Sequence, residues 1–157
     1  MSDTMIKASI EPSTPVTAGS FGTWTLRFQA TGDGVPAGTT IRVGTDTDTD
    51  WGVPQFDDPG AAEYATVTAP EGIDVAARTV GVKGFQVEVG STGLPGGGEI
   101  AVMIGDTSGG GPGSRSQTFR EQRRVFAVTI QQGGSEVVET VTDSPVLEIV
   151  GGEPVKL

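Results

Sequence analysis

Apolar residues in this chain come in short alternating runs separated by turn-forming residues, and that pattern predicts strands. In GTWTLRFQA (22–30), Trp24, Leu26 and Phe28 alternate with Thr23, Thr25, Arg27 and Gln29, the period-two signature of a half-buried strand. TIRVGT (40–45) repeats it with Ile41 and Val43 facing inward, after the turn chemistry of TGDGVPAGTT. Further strands are predicted at residues 5–10, over AEYATVTA (62–69) and over TVGVKGFQVEVG (79–90), where Gly84 beside Phe85 breaks the phase and predicts a bulge. GEIAVMIGD (98–106) is more continuously apolar, as a central strand would be. RRVFAVTIQQ and SEVVETV predict a hairpin around Gly133 and Gly134, and SPVLEIVGG a last strand. No 3.6-residue apolar period persists over about ten residues.

About nine strands at this spacing predict an all-β, single-domain β-sandwich over residues 1–157, immunoglobulin-like in type. One echo stands out. GVPAGTTIRV (34–43) and GLPGGGEIAV (93–102) share a turn that feeds a strand. The plainer reading is one good turn used twice; the other is pseudo-symmetry between parts of the sandwich.

Composition narrows the chemistry. The chain has 25 glycines and 10 prolines, a content that signals disorder only where apolar runs are absent, and here they are present. It has no histidine and no cysteine, which removes Ser-His-Asp triads, Cys-His pairs, disulfides and thiolate or imidazole metal centres. Carboxylate chemistry, lysine chemistry, oxygen-ligated cations and noncatalytic roles remain. A net charge of −10 disfavours nucleic acid and anionic membrane as partners. No run approaches the ~18 apolar residues of a membrane span, and MSDTMIKASIEPS has no apolar core of a secretion signal, so a cytoplasmic location is expected.

Three stretches carry candidate chemistry. DTDTDWGVPQFDDPG (46–60) places Asp46, Asp48, Asp50 and Asp57 at positions 1, 3, 5 and 12 of a calcium-loop count. Trp51 occupies the sixth place, where such a loop needs glycine, so an outward-facing solvated run competes with a calcium site. Trp51, Phe56 and Tyr64 gather in or beside this connection; they form a stacking platform for a sugar, an apolar cap folded back on the sandwich, or an aromatic anchor for a protein partner. Asp57, Asp58 and Glu63 are the available acid–base carboxylates, although adjacent aspartates beside proline are more commonly turn formers. GDTSGGGPGSRSQTF (105–119) lacks the Lys-Ser/Thr ending of a phosphate loop and leads into a strand. Arg115, Arg120, Arg123 and Arg124 make residues 115–124 basic, suited to carboxylates, phosphates or a protein interface, with a flexible solvated loop as the rival reading.

Four strings, AGSFGTWTLRF (18–28), DWGVPQFDDP (50–59), GDTSGGGPGSRSQTF (105–119) and SPVLEIVGGEPVKL (144–157), resemble the N-terminal region of a bacterial family of unknown function. Its members carry this β-rich part ahead of a metal-dependent barrel similar to the polymerase-and-histidinol-phosphatase metallohydrolases. The resemblance covers most of the chain and carries over Trp51, Gly52, Pro54, Gln55, Phe56 and Asp57, then Gly105, Asp106, Gly109, Gly113, Gln117, Thr118 and Phe119. It implies that catalytic histidines and any divalent metal belong to the barrel, leaving this chain without a cofactor of its own.

The expectation is therefore a noncatalytic small subunit or accessory domain of a hetero-oligomeric metal-dependent enzyme, a hydrolase or lyase. Bacterial C-glycoside deglycosidases offer an architectural analogy. Trp51, Gln55, Phe56, Asp57, Tyr64, Arg115, Gln117, Phe119 and Arg120 would meet the partner or the substrate entrance. A carbohydrate- or glycoside-binding module and a calcium-stabilised structural domain are the alternatives.

Overall fold

Alternation decides which way each strand faces. The computed structural model describes residues 5–45, 48–81 and 83–151, and these form thirteen strands and no helix. They are β1 (Ile6–Glu11), β2 (Val16–Thr17), β3 (Phe21–Gly22), β4 (Trp24–Ala30), β5 (Thr40–Thr45), β6 (Ala65–Thr68) and β7 (Val75–Val80). Then follow β8 (Gly84–Val89), β9 (Glu99–Ile104), β10 (Ser114–Arg115), β11 (Glu121–Gln131), β12 (Glu139–Thr140) and β13 (Val146–Val150). Two sheets carry the fold. One runs β1-β4-β9-β6; the other runs β2-β13-β11-β5-β8-β7, with β12 also on β11. β3 and β10 form a separate short ribbon.

The inward positions of both sheets make one core. Leu26 and Phe28 of β4 and Ile100 and Val102 of β9 are fully buried, as are Ile41 of β5, Val87 and Val89 of β8 and Val128 of β11. A two-sheet, all-β sandwich is thus what the alternation predicts and what the chain forms.

Two expectations change. Residues 79–90 are not one bulged strand: β7 and β8 pair in unbroken register from Val75↔Val89 to Val80↔Gly84 as a hairpin, with Gly81 and Lys83 in its turn. Gly81 supplies the positive φ that the turn requires (63°). Residues 135–141 contribute only β12, which pairs Glu139 with Ile130 and Thr140 with Thr129 of β11. β2, β3 and β10 are two residues each, too short to carry a period.

The echo between residues 34–43 and 93–102 is more than a reused turn. Val35 and Leu94 exchange both backbone hydrogen bonds, at 2.7 and 2.8 Å, so the two turns clasp each other. The pairing around them is reciprocal. β1 pairs with β4 as β7 pairs with β8, β4 with β9 as β8 with β5, and β6 with β9 as β11 with β5, all antiparallel. The paths β1-β4-β5-β6 and β7-β8-β9-β11 are therefore related by a pseudo-twofold through the Val35–Leu94 pair. The connection after β5 and the connection after β9 occupy equivalent places at the far end of the sandwich.

Candidate functional site

Those two equivalent connections, residues 48–64 and 105–120, fold against each other. Aromatic burial starts the assembly. Trp51 is only 6% exposed and lies edge-on to Trp24 of β4 (4.9 Å between centroids) and to Phe126 of β11 (5.3 Å). The Arg124 guanidinium stacks over the Phe126 ring at 4.2 Å. A buried indole needs an acceptor for its N–H, and Trp51 Nε1 donates to Ser114 Oγ at 2.9 Å.

From Ser114 the network runs outward. Its hydroxyl donates to Glu63 Oε1 (2.8 Å), and the Arg115 backbone N–H donates to Glu63 Oε2 (3.1 Å). The Glu63 N–H donates to the Gly113 carbonyl, and the Gly52 N–H to the Arg115 carbonyl. Glu63 holds a φ of 68°, a left-handed conformation uncommon for a residue with a side chain. A side chain at Gly52 would collide with the Glu63 carboxylate, its Cβ falling 2.0 Å from Cδ. One strained glutamate thus joins both connections.

A second strap uses Gln117, whose side chain is fully buried. Its Oε1 accepts from Thr49 Oγ1 at 2.8 Å, while Nε2 donates to the Phe119 carbonyl and to Glu121 Oε1. Thr49 Oγ1 also accepts the Trp51 N–H. Asp50 forms a third strap, with Oδ1 accepting the Thr118 N–H (2.7 Å) and Oδ2 the Thr118 hydroxyl. These bonds, with a smaller contribution from Arg115, hold the Asp50 carboxyl below its ordinary pKa. Asp106 is also lowered, by its bonds from Ser108 and then Thr66.

The glycines of 105–119 permit this closeness. A Cβ at Gly109 would fall 2.5 Å from Pro59 Cβ, and one at Gly111 the same distance from the Ala61 carbonyl oxygen. The loop is pressed backbone to backbone against residues 59–61, with no space left there for a phosphate.

The nominated residues therefore separate. Trp51 and Gln117 are interior, and Trp51 has no ring face to offer a sugar. Phe56 is half-buried and edge-on to Phe85 (5.9 Å). Tyr64 is half-buried, its carbonyl accepting the N–H groups of Gly105 and Asp106. Gln55 organises its own loop: Oε1 accepts the N–H groups of Asp57 and Asp58, and Nε2 donates to the Asp58 carbonyl. Asp57, Arg115, Phe119 and Arg120 remain exposed.

The calcium count does not assemble a ligand set among the described residues. Asp46 lies outside them; Asp48 pairs with Lys83 at 3.2 Å, Asp50 is taken by Thr118, and Asp57 projects from the turn. No group of three or more acidic side chains placed to hold a metal occurs among the described residues. Nor do Asp58 and Glu63 face one another as an acid–base pair: Asp58 Oδ1 accepts the Gly60 N–H and Glu63 turns to Ser114.

Sequence reasoning missed Thr49 and Ser114, and it weighed Glu63 only as an acid. Small polar residues carry no periodic signal, and their role appears only once distant loops meet. It also missed Phe21, 52% exposed, which pairs across the β3–β10 ribbon with Arg115 and shares this end with Phe119, 44% exposed. No family model matches the chain, and no curated protein matches it. Among the described residues no helix is long and apolar enough to cross a membrane.

Proposed function

We propose that this chain is a noncatalytic accessory module that presents the end formed by residues 48–64 and 105–120 to a larger partner protein. The observation that carries the reading is the pair of exposed phenylalanines, Phe21 and Phe119, set among Arg115 and Arg120 on a hydrogen-bonded base. Large apolar side chains in water beside arginines are the composition of a protein interface core and its rim. The base below is stiff, because Glu63, Gln117 and Asp50 tie both connections together, so little order would be lost on docking.

The family resemblance supplies the kind of partner: a metal-dependent barrel enzyme, a hydrolase or lyase, that brings its own histidines and divalent metal. A chain without imidazole or thiol fits the supporting part in such a pair. In this reading Phe21 and Phe119 seat in an apolar recess of the partner, and Arg115 and Arg120 meet carboxylates at its margin.

The test is co-production with a barrel protein encoded beside it, followed by size measurement. A stable complex is expected, weakened at least about tenfold by Phe21→Ser with Phe119→Ser. A chain that stays monomeric beside the barrel protein, or a complex indifferent to both substitutions, would refute the reading.

A further inference from the structure

The pseudo-twofold supplies an internal comparison for a second surface, independent of the phenylalanine end. It matches the outer face of β1-β4-β9-β6 row by row with the outer face of β7-β8-β5-β11. On the first face, one row across the strands reads Glu11, Thr25, Met103, Thr66. The next contains Arg27, balanced by Glu11 at 3.4 Å and by Glu99 at 3.5 Å. That is an ordinary solvated sheet face, with its charge compensated in place.

The equivalent rows on the other face are different. The first reads Val80, Gly84, Gly44, Ala127, which leaves the sheet nearly bare of side chains. An open groove of ≈ 470 Å³ lies there, and a Cβ built on Gly44 would touch nothing within 4 Å. The next row places Arg78 and Arg42 on either side of Gln86. Strand spacing puts their Cα atoms about 10 Å apart. Arg42 Nε donates to Gln86 Oε1 at 3.3 Å, but among the described residues neither arginine has a carboxylate within ion-pair distance. In a chain of net charge −10, two adjacent arginines with no ion pair among the described residues, and with Glu88 one row further along β8, border a bare trough and form a surface with a defined complement.

We infer that the outer face of β7-β8-β5-β11 docks an extended acidic segment of a partner protein, lying across the strands in the Val80–Gly84–Gly44–Ala127 trough. Small or apolar side chains of that segment rest on the glycines, where no Cβ holds them off. Its carboxylates, on alternate residues about 7 Å apart, reach Arg42 and Arg78. Lys83, at the rim and paired with Asp48, exchanges one carboxylate for another.

The probe is a capped peptide of alternating glutamate and valine, with its glutamine–valine analogue as the uncharged control. Amide chemical shifts of the full-length chain are followed during titration. Saturable shifts centred on Gly44, Gly84 and Ala127 are expected with the acidic peptide only. Arg42→Ser with Arg78→Ser should weaken binding about fivefold, consistent with loss of exposed charge pairs. Gly44→Val should block the trough with both arginines intact, while Phe21→Ser with Phe119→Ser should leave binding unchanged. No shifts, equal shifts with the glutamine analogue, or shifts centred on Phe21 and Phe119 would overturn the inference. So would a dimer of the chain alone that dissociates in the double arginine variant, since the occupant would then be a second copy.

Discussion

Glu63 and Ser114 show how much one pair of small polar contacts can control. Ser114 accepts from a buried indole and donates to a carboxylate, so Ser114→Ala leaves the Trp51 N–H without its acceptor. Unfolding in urea should show a loss of about 2 kcal/mol, the cost of an unsatisfied buried donor, whereas Ser108→Ala at the exposed loop tip should show little. Asp50 acts through charge. Its folded-state pKa lies below the unfolded value of about 3.9, so its contribution is complete above that pH and lost as pH falls through the folded pKa. Asp50→Asn should therefore melt lower than the parent at pH 7, and the difference should shrink in scans taken at progressively lower pH below about 4. Neither role was legible in the sequence. Asp50 looked like one of several alternating aspartates, and nothing near residue 50 announces Thr118.

Strands with full alternation were legible, and the connections were legible only as loops. β4, β5, β9 and β11 each contain at least two inward apolar residues at period two, and the sandwich follows from them. β7 (VAARTV) escaped because its inward-facing side offers only half-buried Val75 and Ala77 and an exposed Thr79, a weak apolar face at a sheet edge. The glycine-rich connection could be read as docking or slack; its backbone packing against residues 59–61 is a tertiary fact that no local pattern encodes. That packing gives a prediction at the same scale. Gly109→Ala inserts a methyl group 2.5 Å from Pro59 Cβ and should cost about 2 kcal/mol, with faster amide exchange across 105–119. Gly60→Ala meets nothing closer than 3.7 Å and should be mild.

At the level of the whole molecule, the clasped turns at Val35 and Leu94 hold the sheets together at the end opposite the candidate site. Equivalent positions should respond alike. A Cβ at Gly34 would lie 2.3 Å from the Leu94 carbonyl oxygen, and one at Gly93 would lie 2.8 Å from that of Val35, both at positive φ. Gly34→Ala and Gly93→Ala should each lower stability by about 2 kcal/mol or more in thermal melts. A large effect at one and none at the other would count against the pseudo-twofold. The sequence did show the paired frames, but two similar turns can sit anywhere in a fold. Only the reciprocal strand pairing makes them partners.

The aromatic cluster beneath the stapled connections has a spectroscopic consequence. Both tryptophans of the chain, Trp24 and Trp51, belong to it, in contact at 4.9 Å. Intrinsic emission is accordingly a local witness: it brightens, dims or shifts with events at that end and is blind to melting around Val35 and Leu94. Emission that changes before the far-ultraviolet dichroism during heating would time the opening of the site separately from collapse of the sheets.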